Sequence, residues 1–159
     1  MAKPPHDRSS AGSNTYFLTT RADGGRALFR SERIAGLFLD TLFSYRDQQK
    51  FQLHEFVIMP NHVHLLITPN ETITIERATQ FIKGGFSHRV KKELGISSEI
   101  WQRGYVDHRV RDASDYRQHR EYIRANPVRA RLVETPEEYR YSSAYAGYML
   151  DDVPQGLKP

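Results

Sequence analysis

The chain has 159 residues and a net charge of +4; 38% of it is hydrophobic and 26% charged, which supports one domain with one real core. It contains no cysteine, so disulfides and thiolate metal sites are excluded and any metal must be held by His, Asn, Gln or carboxylate groups. No apolar run approaches the roughly 18 residues of a membrane span, and the polar start has no apolar signal-peptide core, so a cytoplasmic location is expected.

In chain order, residues 1–13 read as a flexible tail. Thr15 to Arg21, rich in β-branched and aromatic residues, predicts a first strand. Ser31 is a candidate N-cap for a helix from Glu32 to about Gln48, where Ile34, Leu37, Phe38, Leu42 and Tyr45 recur at helical spacing. Phe51 to Ile58 predicts a second strand. A Pro60-Asn61 turn then closes a hairpin with a third, His62 to Thr68.

Thr74 to about Leu94 again has helical spacing, interrupted by Gly84-Gly85. Two adjacent glycines cost a helix on the order of 2 kcal/mol relative to alanines, so a bend or a close backbone contact is expected there. Trp101 to Val110 reads as extended structure around Gly104. Asp112 or Ser114 can cap a further helix from Asp115 to about Ala125, which Asn126-Pro127 should end or kink. Val128 to Val133 then predicts a short helical piece, Thr135-Pro136 another helix start, and residues 151–159 a polar tail. The whole is an α+β chain with one domain over residues 14–150. Its order, β-α-β-β-α-β and then a last helix, predicts a ferredoxin-like antiparallel sheet with helices on one face.

The positive charge is uneven. Residues 81–131 hold twelve Lys and Arg against six Asp and Glu. That concentration makes Lys83, Arg89, Lys91, Arg103, Arg109, Arg124 and Arg129 candidates for nucleic-acid phosphates, although for any single arginine a solvated helix face is the better reading. Trp101 and Tyr105 could stack on bases or anchor the core.

Two features carry chemistry. His62 and His64 sit two apart just after the turn, so on a strand they share a face while Val63 and Leu65 point the other way. Two neutral imidazoles side by side are half of a divalent-metal site; the bland alternative is a pair of solvent-facing strand histidines. Tyr122 and Asn126 are four apart and would share a helix face. An amide oxygen there could serve beside two imidazoles, with the tyrosine hydroxyl one turn away. The competing reading has Tyr122 packing and Asn126 capping the helix before Pro127. His119 and Glu121 are fallback ligands.

Together these stretches resemble a known family. Tyr16-Phe17-Leu18-Thr19, Met59-Pro60-Asn61-His62-Val63-His64-Leu65-Leu66, Trp101-Gln102-Arg103-Gly104-Tyr105, Tyr122-Ile123-Arg124-Ala125-Asn126-Pro127-Val128-Arg129-Ala130 and Tyr141-Ser142-Ser143 occur in this order. They are similar to the HUH single-strand DNA transposases with one catalytic tyrosine, and more closely to the REP-associated branch. The resemblance implies Tyr122 as the nucleophile, His62 and His64 as ligands for Mg²⁺ or Mn²⁺, and Asn126 where some relatives have a glutamine ligand. It further implies cleavage and rejoining of single-stranded hairpin DNA through a 5′-phosphotyrosine, by a monomer or homodimer associated with the nucleoid. A hairpin-binding relative without turnover and a histidine-pair phosphoesterase remain as alternative functions.

Overall fold

In the computed structural model, which describes residues 14–159, four strands form one antiparallel sheet. They are β1 (Tyr16–Arg21), β2 (Phe51–Met59), β3 (His62–Pro69) and β4 (Val106–Arg109), in the order β2-β3-β1-β4. The expected tail over residues 1–13 lies outside the described residues. Three helices complete the fold: α1 (Glu32–Asp47), α2 (Ile75–Leu94) and α3 (Ala113–Arg129). The α+β, ferredoxin-like expectation holds, with α1 and α2 on one face of the sheet and the last helix on the other. The extended stretch expected from Trp101 is seen as an antiparallel bridge of Trp101 with Ala22 and then as β4, and the helix start at Thr135 is a single 3-10 turn, Pro136–Glu138.

Capping residues set the helix starts. Ser31 Oγ accepts from Ile34 N, Thr74 Oγ1 from Arg77 N, and Asp112 Oδ1 from Asp115 N. Each satisfies a backbone donor that the first helical turn leaves open. The Gly84-Gly85 pair does not break α2. A Cβ on Gly85 would overlap the Tyr45 hydroxyl of α1, so the close-contact half of the expectation is the one observed.

Helices α1 and α2 cover one face of the sheet. Phe38 and Leu42 from α1, Ile82 and Phe86 from α2, and Leu18, Phe56, Ile58, Val63 and Leu65 from the strands form one buried cluster. Trp101 belongs to it, against Phe29, Phe38 and Phe86, with its indole N–H donating to the Lys83 carbonyl at 3.0 Å. It is therefore a core anchor.

Helix α3 takes the opposite face. Tyr116 and Ile123 pack on Val57, Met59, Leu66 and Val110, so β3 is covered on both sides and reads as a nearly continuous buried run. A bulge in β2, where the register shifts between Leu53 and Glu55, turns both His54 and Glu55 toward α3. The buried Glu55 carboxylate meets Arg124 Nε at 2.6 Å and Arg120 Nε at 3.7 Å, fixing α3 across the sheet.

The expected end of this helix at Ala125 is corrected. It continues through Pro127 to Arg129. Pro127 lies in the last turn, so its missing N–H deprives only the Ile123 carbonyl of a partner. Bonds from Leu132 N to Pro127 O at 2.9 Å and from Arg131 N to Val128 O at 3.0 Å close the end, with Arg131 in the left-handed region at φ 59°. The separate helical piece expected from Val128 is thus the end of α3 and its cap.

The C-terminal stretch protects the outer edge of β2. Ile58 N donates to Tyr141 O at 2.8 Å and Ser143 N to Phe56 O at 2.9 Å, which answers the exposed-edge problem of an outer strand. Residues 151–159 continue this path. Asp151 binds Arg46 and Leu53 N, Leu157 packs beside the Tyr116 cluster, and Lys158 O accepts from Ala113 N at 2.7 Å.

Candidate active site

The hairpin places His62 and His64 on the face that α3 covers. The turn before them is held by Ala22 N to Asn61 O and by Phe29 N to Pro60 O, both at 2.9 Å. Their rings lie 4.7 Å apart. Val63 and Leu65 are fully buried on the other face, as the alternation predicts.

Each imidazole is held by its Nδ1. His62 Nδ1 is 2.7 Å from Asn61 Oδ1, and His64 Nδ1 is 2.8 Å from Thr19 Oγ1. An amide oxygen only accepts, so Nδ1 of His62 carries the proton and its Nε2 keeps a lone pair. The same tautomer at His64 leaves Nε2 as an acceptor, and that atom is buried without a hydrogen-bond partner. Burial pushes the His64 pKa down from 6.5 to about 3, with His62, Arg21 and Arg129 acting in the same direction. Burial, then Arg21, lowers His62 as well. Both rings are accordingly neutral near pH 7, the form that binds metals.

Tyr122 comes from the same chain. Its ring is 5.3 Å from that of His64 and 6.0 Å from Phe17, whose own ring stacks on His64 at 5.2 Å. It is 41% exposed, so a macromolecular substrate can reach it. The Arg129 guanidinium lies over the ring, 4.4 Å from its centre, a geometry in which the cation is attracted to the ring face. Asn126 stays helical one turn beyond Tyr122 and is buried, with no partner for its amide nitrogen.

A buried, lone-pair-bearing Nε2 with its other nitrogen tied down is the arrangement of a metal-ligating histidine. The donor set therefore fits a divalent ion. The described His, Asp and Glu residues do not complete a three-donor cluster with His62 and His64, so a third protein ligand would come from a neutral group such as the Asn126 amide.

The basic candidates separate. Arg129 lies at the tyrosine. Lys91, Arg103 and Arg109 are exposed elsewhere. Lys83 Nζ donates to the Gln102 and Gly104 carbonyls, and burial lowers its pKa. Arg89 pairs with Glu93 and reaches Thr41, and Arg124 pairs with Glu55. The α2 residues also sit across the sheet from the histidines.

Arg21 carries no sign of a role in the sequence. The β1–β3 register sets it opposite His62, and strand register is not readable from composition. Thr19 and Phe17 gain their places beside His64 the same way.

Residues 15–126 match the family model described as "Transposase IS200 like". The chain belongs to the IS200-like transposase family. Its relatives include a REP-associated tyrosine transposase of Escherichia coli (strain K12), 25% identical over 146 residues, covering 91% of this chain and 82% of that protein. An uncharacterized protein of Haemophilus influenzae is 34% identical over 143 residues, covering 71% and 79%. A solved REP-associated tyrosine transposase bound to a REP hairpin superposes with a TM-score of 0.72 at 22% identity, covering 96% of each chain. The chain is thus an enzyme of the tyrosine transposase class, and the family resemblance drawn from its motifs holds.

Proposed function

We propose that this transposase cuts and rejoins single-stranded hairpin DNA with Tyr122 as nucleophile and with His62, His64 and Asn126 holding a divalent metal ion, Mg²⁺ or Mn²⁺. One observation carries the reading: the Tyr122 ring lies 5.3 Å from His64, whose buried Nε2 has no protein partner.

A bound divalent ion would polarise a phosphate oxygen and offset transition-state charge. The protein's own groups supply the rest. Thr19 and Asn61 fix the imidazole orientations. Arg129, over the Tyr122 ring, counters the negative charge of the phenolate as the hydroxyl gives up its proton. The tyrosine oxygen attacks the phosphorus in line as its proton passes to solvent, the bond to the 3′ oxygen breaks, that oxygen takes a proton from solvent to leave as a 3′ hydroxyl, and the 5′ phosphate stays on Tyr122. A 3′ hydroxyl attacking that phosphotyrosine restores a phosphodiester and releases the tyrosine, so no nucleotide cofactor is consumed.

With the tyrosine beside the histidines of its own chain, one protomer has the parts to act alone. The relative's REP hairpin supports hairpin DNA as substrate, and Arg21, opposite His62, and Arg129, over Tyr122, are the cations placed to meet a phosphate there.

The test is end-group analysis of a labelled hairpin incubated with the protein. Cleavage should require Mn²⁺ or Mg²⁺, cease with a chelator and leave a free 3′ hydroxyl. Release of inorganic phosphate with indifference to DNA would instead identify a phosphoesterase, and binding without cleavage a recognition module.

A further inference from the structure

A second group of donors lies on the same face of the sheet, beyond Phe17. His108 projects from β4, and Asp115 and His119 are one turn apart on α3, which puts them on the same helix face. One ligand atom from each lies within 4.8 Å of the others. His108 Nε2 is 2.9 Å from Asp115 Oδ2, and His119 Nδ1 is 3.2 Å from Asp115 Oδ1. The two imidazoles stack at 4.9 Å.

The geometry points to a second metal site here, in which His108, Asp115 and His119 bind a borderline transition ion of the zinc class. Two imidazoles and one carboxylate suit zinc better than magnesium. Bonds of zinc length at tetrahedral angles set donors about 3.3 Å apart; each imidazole is already about that far from a carboxylate oxygen, and the three donors, within 4.8 Å of one another, need only draw in around the ion. The carboxylate already has the outer partner expected of a ligand, since Arg111 N donates to Asp115 Oδ2 at 3.0 Å. Its side chain is 11% exposed, whereas His108 is 39% exposed, leaving an open side for water as fourth ligand.

Two contacts compete with the ion. His119 Nδ1 lies 2.8 Å from the Asp115 carbonyl and would give up that bond on ligation. Arg111 Nε lies 3.8 Å from Asp115 Oδ2, but that side chain is 77% exposed and free to swing out. The bound ion would fasten β4 to the first turns of α3, two turns before Tyr122, and Phe17 joins the two sites by contacting both His119 at 4.5 Å and His64 at 5.2 Å.

The test uses the full chain carrying His62→Ala and His64→Ala, so that the histidine pair contributes nothing and the outcome is independent of the proposed cleavage. Zn²⁺ is titrated against a chromophoric chelator, and Co²⁺ is added separately for its visible absorption. One equivalent of Zn²⁺ should bind, and the Co²⁺ spectrum should be that of a four-coordinate ion. Adding His108→Ala, His119→Ala or Asp115→Asn should each weaken binding by about tenfold or more, and Arg111→Ala should tighten it. Should His119→Ala fail to fold by circular dichroism, His108→Gln, at the more exposed position, decides the matter. No binding in the double-alanine background, or an affinity unmoved by both His108 substitutions, would overturn the site.

Discussion

The two faces of the sheet are built to different standards. Beneath α1 and α2 the contacts are mainly apolar: Phe29, Phe38, Phe86 and Trp101 pack ring against ring, the indole N–H has its partner, and a buried hydroxyl, Thr20 Oγ1 on the Tyr16–Leu18 side of β1, has none. Beneath α3 the same strands present His54, Glu55, His62, His64 and Thr19, and two buried nitrogens, His64 Nε2 and Asn126 Nδ2, are left unpaired. An orphaned buried polar atom costs about 1–3 kcal/mol. The difference teaches that the ring packing of the first face supplies stability that offsets the two unpaired nitrogens held on the second.

The comparison can be broken from either side. The largest expected effect is on catalysis. Thr19→Val combined with His64→Leu should reduce metal-dependent hairpin cleavage to background while shifting unfolding free energy by no more than about 1 kcal/mol, because both polar partners are removed together. Large destabilisation would show that the α3 face is a stability element after all.

On the opposite face, Phe86→Ala should cost about 3–5 kcal/mol in urea unfolding and leave metal affinity of the folded protein unchanged. Arg124→Ala should cost less, about 2 kcal/mol. It strands the buried Glu55 carboxylate, but Arg120 stays within 3.7 Å, so the full ~3–5 kcal/mol of a broken buried pair is not reached.

The smallest effect is one of pH. His54 bridges Thr68 Oγ1 through Nε2 and the Asp152 carbonyl through Nδ1, and burial lowers its pKa from 6.5. Its folded pKa lies below its unfolded one, so the unfolded chain binds the extra proton. Stability is therefore full above about 6.5 and falls as pH drops below that value. The urea midpoint should decline between pH 7 and pH 5, with the depressed His62 and His64 acting in the same direction, and His54→Gln should reduce that slope without abolishing it.

Much of this was legible in the residues. Alternation put His62 and His64 on one face, Ser31 marked the start of α1, Asp112 was one of two candidates at the start of α3, and the spacing of Tyr122 and Asn126 survives because the helix runs through Pro127. The proline argument misled because one lost bond in a last turn is readily offset by the cap around Arg131. Three things depend on pairing across the chain and leave no local trace: the face that α3 occupies, the register that sets Arg21 beside His62, and the bulge that aims Glu55 at Arg124. The engagement of Lys83, Arg89 and Arg124 in internal contacts was hidden for the same reason, since charge counts do not say which cations already have partners.

The most direct test of the central claim is denaturing electrophoresis of the protein after incubation with Mn²⁺ and hairpin DNA labelled on the 3′ side of the cleavage point. The wild-type chain should carry the label through SDS, with the modified peptide containing Tyr122, and Tyr122→Phe should bind the same hairpin and carry none. An SDS-stable adduct of undiminished yield in Tyr122→Phe would contradict it.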